Sequence, residues 1–245
     1  MDLLIATFNT LLYRPLFNIL VLFYQYIPGR DFGLAIIVLT ILIKIIFYPL
    51  GIKGIKSQKA LSKLQPKIKE IQEKYKDNKE EQTKQLMALY KKAKINPFSG
   101  CLPLLIQLPV LIALYRVFWQ GLQPEQMTFL YNFISNPGII DPTFFGIMDL
   151  SKPNIILAVL TGIFQFLQTK LAVPKQNPEN KKDDSFSSHF QKQMQYFMPV
   201  FIVIMLLKMP SAIGLYWIVS TLFTIFQQYV ILRQRNHEPR ESATT

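Results

Sequence analysis

The feature that most limits what this chain can become is an unbroken apolar run, Phe32 to Gly51, twenty residues with Lys44 as the only charge. At 1.5 Å per residue a helix of that length crosses roughly 30 Å of hydrocarbon, and a single spanning segment satisfies its own backbone polar groups there only as a helix. The core of a soluble domain would instead show apolar residues at periodic positions. Half of the 245 residues are hydrophobic, the mean hydropathy is +0.22, and the apolar residues lie in blocks. The fold class expected is therefore an all-α membrane protein.

Counting the blocks gives five transmembrane helices: 31–51, 99–122, 154–174, 194–209 and 210–232. Lys208-Met209-Pro210 leaves almost no loop between the last two, and a proline cannot continue a helix interior, so these two form a tight helical hairpin. Residues 52–98 hold thirteen lysines against five acids, a net charge of +8, whereas 123–153 holds one lysine against three acids. The positive-inside rule puts the first segment in the cytoplasm and the second outside. An odd number of spans then runs from an external N-terminus to a cytoplasmic C-terminus, with 175–193 a cytoplasmic loop and 233–245 a cytoplasmic tail carrying Arg233, Arg235 and Arg240.

Residues 16–27 are apolar but short, and Arg14-Pro15 interrupts any extension toward Leu3, so 1–30 reads as an interfacial helix on the outer side, with Pro15 in its first turn and Phe23, Tyr24 and Tyr26 as anchors. A sixth span there would leave the other five unchanged. No A-x-A cleavage site is evident, so the segment is expected to stay. In 52–98, Leu61, Leu64, Ile68, Ile71 and Tyr75 follow a 3-4-3-4 spacing, Asp77-Asn78 breaks it, and Leu86, Leu89 and Tyr90 mark a second helix over 80–93. The segment reads as an antiparallel cytoplasmic hairpin, kinked or restarted at Pro66, whose lysines attract anionic lipids.

Chemistry is sparse. One cysteine, Cys101, and two histidines in polar segments, His189 and His237, provide neither a disulfide framework nor a zinc site. No serine–histidine pair or aspartate pair falls inside the bilayer, and no glycine-rich phosphate loop occurs, so neither an enzyme nor a cofactor is expected. Lys44 is the exception. A charge at this depth costs at least about 2.5 kcal/mol on insertion scales and persists where it meets water, a partner or a substrate. It lies roughly 10 Å from the cytoplasmic end of its span, further than a lysine stem comfortably snorkels. Arg116, within two turns of the outer end of its own span, is explained by snorkelling.

No Asp or Glu lies within the apolar runs to neutralise Lys44, so its partner comes from outside the chain. Neutral polar residues accompany it: Thr40, Gln107, the stripe Thr161, Gln165, Gln168, and the stripe Trp217, Thr221, Thr224, Gln228 on one face of the last span. Single stripes of this kind usually join helices. Together with a lysine they describe a hydrophilic groove able to attract a carboxylate.

Four strings carry a resemblance: GLAIIVLTILIKIIFYPL (33–50), ALSKLQPKIKEIQEKYKDN (60–78), INPFSGCLPLLIQLPVLIALYRVF (95–118) and QMQYFMPVFIVIMLLKMPSAIGLYWIVSTLFTIFQQ (193–228). In order and spacing they are similar to the YidC-type membrane protein insertases, relatives of the mitochondrial oxidase-assembly and chloroplast Albino-type proteins, in a short form without the large external domain. The resemblance implies an insertase and chaperone of the bacterial plasma membrane. Its five spans would surround a groove open to cytoplasm and lipid and closed to the outside, with a functional cytoplasmic hairpin. A cation in the first span would draw the acidic or polar tail of a nascent membrane-protein client into the groove, while the client's apolar helix leaves along the third and fifth spans. Lys44 stands at the position of that cation, where arginine is common; it offers a point charge without a bidentate fork. The ribosome and the Sec translocon are implied as possible partners, DNA is not, and the thirteen-residue tail from Arg233 is not expected to hold a ribosome alone. The residues by themselves leave two rivals, an anion or small-solute transporter using Lys44 and a ribosome-binding membrane scaffold.

Overall fold

In a computed structural model of the chain, residues 2–96, 102–172 and 186–236 are described. The chain is built from helices: α1 (Asp2–Phe8), a π turn Asn9–Tyr13, α2 (Arg14–Tyr26), α3 (Phe32–Ile46), α4 (Tyr48–Lys74), α5 (Lys79–Lys92), α6 (Leu102–Gln120), α7 (Ile155–Ala172), α8 (Phe186–Leu206) and α9 (Ser211–Asn236). The all-α expectation is amended in one place. β1 (Thr143–Phe144) and β2 (Met148–Asp149) form a two-residue antiparallel ladder in the segment between α6 and α7, too short to leave a periodic signal.

Helix α3 is the axis of the core. Phe32, Ala35, Ile36, Leu39, Thr40 and Ile43 are buried at helical spacing, with α2 packed on one side and α9 on the other, while Val38, Ile41, Ile45 and Ile46 face outward. Asp31 starts the helix: one carboxylate oxygen accepts from Leu34 N at 2.7 Å and the other from Phe145 N at 2.5 Å, tying the β-hairpin to the helix end. The chain then bends by 67° between α3 and α4. Pro49 causes this, since its ring obstructs a helix arriving from behind and suits the first turn of a new one. The straight span expected over 31–51 therefore ends at Ile46.

Helices α4 and α5 form an antiparallel pair. Asn78, read as a breaker, is also the N-cap of α5, accepting from Glu81 N at 3.0 Å. Gln82 Nε2 reaches back to Gln72 O at 2.9 Å, and Ile68 is the buried residue of the expected seam. Helix α4 passes through Pro66 without restarting; Pro66 is exposed, so water can take the carbonyl it leaves free.

Two helical stretches, Ile5–Tyr26 and Ser211–Ile231, are long and apolar enough to cross a membrane, and α3 joins them if counted with its bent continuation. Ile155–Leu171 and Gln195–Leu206 are shorter apolar helices. Helix α8 begins at Phe186, eight residues before the apolar block at 194, because hydropathy marks a membrane boundary and helices run past it. Arg14-Pro15 does not interrupt the N-terminal helix: the π turn passes into α2 with Pro15 in its first turn. Arg116, half-buried, has partners within the chain. Its Nη1 donates to Asn9 Oδ1 at 2.8 Å, and its guanidinium lies 5.0 Å from the Tyr13 ring centre.

Candidate functional site

Between α3, the first turns of α4, α6, α7 and α9 lies a cavity of about 300 Å³. Lys44 enters it from the last turn of α3, just before the bend, and is the only charged side chain lining it among the described residues. Its Nζ donates to Thr224 Oγ1 at 3.2 Å. An ammonium has three protons to give, so the contact leaves donors for an incoming anion.

The other polar groups come from four helices, α4, α6, α7 and α9. Trp217 Nε1 donates to Gln165 Oε1 at 3.0 Å, linking α9 to α7. Gln107 Nε2 donates to the Tyr216 hydroxyl, linking α6 to α9. Gln168 and Thr221 complete the wall. Gln228 is buried, and its Oε1 has no hydrogen-bond partner among the described residues.

Eight of the ten residues singled out from the sequence line this cavity: Lys44, Gln107, Gln165, Gln168, Trp217, Thr221, Thr224 and Gln228. Thr40 and Thr161 do not. Thr40 donates to Ile36 O at 2.6 Å and Thr161 to Leu157 O at 2.7 Å, each on its own helix and fully buried in packing. Four polar lining residues were not singled out: Gln58, Tyr216, Ser220 and Gln227. Tyr216, Ser220 and Gln227 adjoin the Trp217, Thr221, Thr224, Gln228 stripe in a second column of the same face of α9, which stepping by four misses. Gln58 reaches the cavity only because of the bend at Phe47.

The root of the α4–α5 hairpin forms part of the wall, with Gly51 and Gly54 presenting bare backbone. A Cβ at Gly51 would lie 2.8 Å from Gln227 Nε2, which itself donates to Tyr48 O at 3.1 Å, so α4 and α9 approach closely there. Among the described residues no group of three His, Cys, Asp or Glu side chains could hold a metal ion. The arrangement can attract an anion and hydrogen-bond a polar segment. It presents no nucleophile paired with a base.

The family model described as "60Kd inner membrane protein" matches residues 22–238. The chain is 37% identical over 204 residues to the membrane protein insertase YidC of Fusobacterium nucleatum subsp. nucleatum, covering 83% of this chain and 87% of that protein. It is 39% identical over 207 residues to membrane protein insertase YidC 2 of Listeria innocua, covering 83% and 64%. It is 39% identical over 205 residues to membrane protein insertase YidC of Francisella tularensis subsp. novicida, covering 83% of this chain but only 33% of that longer relative.

Proposed function

The chain belongs to the 60Kd inner membrane protein family, and from that membership we propose that it is a bacterial membrane protein insertase and chaperone whose cavity at Lys44 receives the polar tail of a client. The observation that carries this reading is an ammonium that, among the described residues, is the only charge lining a largely apolar cavity. A carboxylate or polar tail entering from the cytoplasm supplies the missing partner, and transfer of the client's apolar helix into lipid supplies the driving force.

In this reading α3, α6, α7, α8 and α9 are five spans. Helix α7, at 18 residues, rises about 27 Å, close to the hydrocarbon thickness. The basic hairpin α4–α5 lies in the cytoplasm, where its lysines meet anionic lipids and where a ribosome or the Sec translocon would approach. The cavity opens at the hairpin root, while Phe32, Ile36, Leu114 and Ile213 pack its outer end shut. The client helix leaves along α7 and α9.

The N-terminal helix lies along the outer interface. It is long enough to cross, yet an irregular segment accompanies it over about 18 Å: Tyr13 bonds Gln126 at 2.7 Å, Asn18 bonds Phe129 O at 3.0 Å, and Asp141 N bonds the Tyr24 hydroxyl at 3.0 Å. Irregular backbone of this kind is not tolerated against hydrocarbon, which favours interfacial depth.

The test is depletion of the protein followed by insertion assays on small single-span clients. Clients should accumulate uninserted without it and recover on re-expression; normal insertion without it would sink the reading.

A further inference from the structure

The segment between α6 and α7 does not have the composition of a loop in water. From Met127 to Ile147, twenty-one residues, the only charge is Asp141, whose carboxylate already accepts from Thr143 N at 3.1 Å. About a quarter of the residues in an average soluble chain are charged. Charges return at the edges, with Glu125 before the segment and the Asp149–Lys152 pair after it.

Two turns in this segment hold aliphatic side chains at almost complete exposure, Ile139 at 91% and Ile147 at 89%. Each follows a glycine in the left-handed region, Gly138 at φ +75° and Gly146 at φ +66°, and Phe145 shares that strained conformation at φ +50°. The turns leave both isoleucines outside the packing that the same segment makes with α2 and α3. Phe133 and Phe145 in the same segment and Tyr26 at the end of α2 are exposed as well.

What covers this patch follows from what it adjoins. Its inner side is bonded to Tyr24, Gln25 and Asp31, at the outer ends of α2 and α3. The outward faces of those helices, with Leu3, Ile5 and Leu11 on the N-terminal helix and Val38 and Ile41 on α3, are apolar and exposed, so the patch continues a lipid-facing surface. Aromatic rings around aliphatic tips, with charges withdrawn to both edges, match the headgroup boundary.

We infer that residues 127–147 dock on the outer leaflet of the bilayer, inserting Ile139 and Ile147 among the acyl chains while the backbone stays at headgroup level. The outer seal of the cavity is thereby fixed to the membrane surface. This rests on the membrane reading proposed above.

The test places an environment-sensitive fluorophore at Ile139→Cys, Ile147→Cys or, as a water-exposed reference, Glu125→Cys, each with Cys101→Ser, in vesicles of phosphatidylethanolamine and phosphatidylglycerol. The expected result is loss of emission at 139 and 147 with lipids brominated near the headgroup and none with iodide on both sides, and the reverse at 125. Iodide quenching at 139 and 147 matching that at 125 would overturn the inference, as would shielding from both quenchers, which would mark a protein partner or a second copy. Client insertion measured in the same vesicles separates failure of the docking from failure of the insertase reading.

Discussion

Lys44 Nζ stands 3.2 Å from Thr224 Oγ1, and that hydroxyl donates its own proton to Ser220 O at 2.9 Å, so what it offers the ammonium is a lone pair. The bond joins α3 to α9, and a client carboxylate would compete for the same protons. Charge-assisted hydrogen bonds contribute about 1.5–3 kcal/mol, against about 1 kcal/mol for neutral ones. Lys44→Ala is therefore expected to slow insertion of acidic-tailed clients by roughly tenfold or more, and Lys44→Arg to retain it. Thr224→Val, which keeps the shape and removes the lone pair, should leave the rate within about threefold. Protease protection of a reconstituted client measures all three. Full activity of Lys44→Ala would leave the amides, not the charge, as the attractive element.

A second expectation concerns the contact of α7 with α8. A Cβ at Gly162 would lie 2.4 Å from Val203 Cγ2 and 3.4 Å from Pro199 O. Valine in a helix has essentially one χ1 rotamer, so Val203 cannot turn aside. Gly162→Ala should destabilise by about 1–3 kcal/mol through overpacking, partly offset by the helix propensity of alanine. Val203→Ala opens the same space, so the double variant should recover most of the loss. Thermal unfolding in detergent of the two single variants and the double one reads the coupling, and strict additivity would refute the steric account.

These contacts also show what the sequence could and could not disclose. Lys44, Gln107 and the Trp217, Thr221, Thr224, Gln228 stripe stand out because a polar residue in an apolar run is conspicuous. Threonine is ambiguous: Thr40 and Thr161 close their hydroxyls on the carbonyl one turn back and need no groove. Gln58 could not have been found, because its place depends on a 67° bend whose only signal is Pro49. The start of α8 at Phe186 was hidden for another reason, since hydropathy reports lipid and not the end of a helix.

The outer corner at Asp149 should respond to pH. Lys152 Nζ lies 2.7 Å from its carboxylate and Ser151 bonds it as well, and these partners hold the group below the ordinary aspartate range. The same corner satisfies the start of α9, where Ser211 N donates to Lys152 O and Ala212 N to Leu150 O, both at 3.0 Å. Because the folded state lowers the pKa, the stabilisation is complete above the unfolded value of about 4 and fades as the pH falls below it. Amide exchange at Ser211 and Ala212 should accelerate on acidification from about pH 4 downward, and Asp149→Asn should lack that increment. An identical acid response in both proteins would assign it elsewhere.

Asn18 gives the sharpest stability test, because it is a buried polar residue that makes three hydrogen bonds on an otherwise apolar face of α2. Its Nδ2 donates to Arg14 O at 2.8 Å and Phe129 O at 3.0 Å, and its Oδ1 accepts from Tyr131 N at 2.7 Å. Asn18→Leu keeps the branching and the number of side-chain heavy atoms and suits a greasy helix better, so hydropathy alone anticipates no harm. The bonds anticipate otherwise: Tyr131 N–H loses its acceptor in a part-buried site, at a cost of roughly 1–3 kcal/mol, whereas Phe129 O still has Arg14 Nε at 3.1 Å. That loss falls on the segment between α6 and α7 and not on α3, α7 and α9, to which Asn18 makes none of its three hydrogen bonds. Limited proteolysis from the outer side should therefore cut within 124–141 roughly tenfold faster in Asn18→Leu, a 1.4 kcal/mol shift in the opening equilibrium, while the core helices melt at an unchanged temperature. Equal cleavage rates would mean that packing of Tyr13, Phe17 and Val21, without the amide, holds the segment to α2.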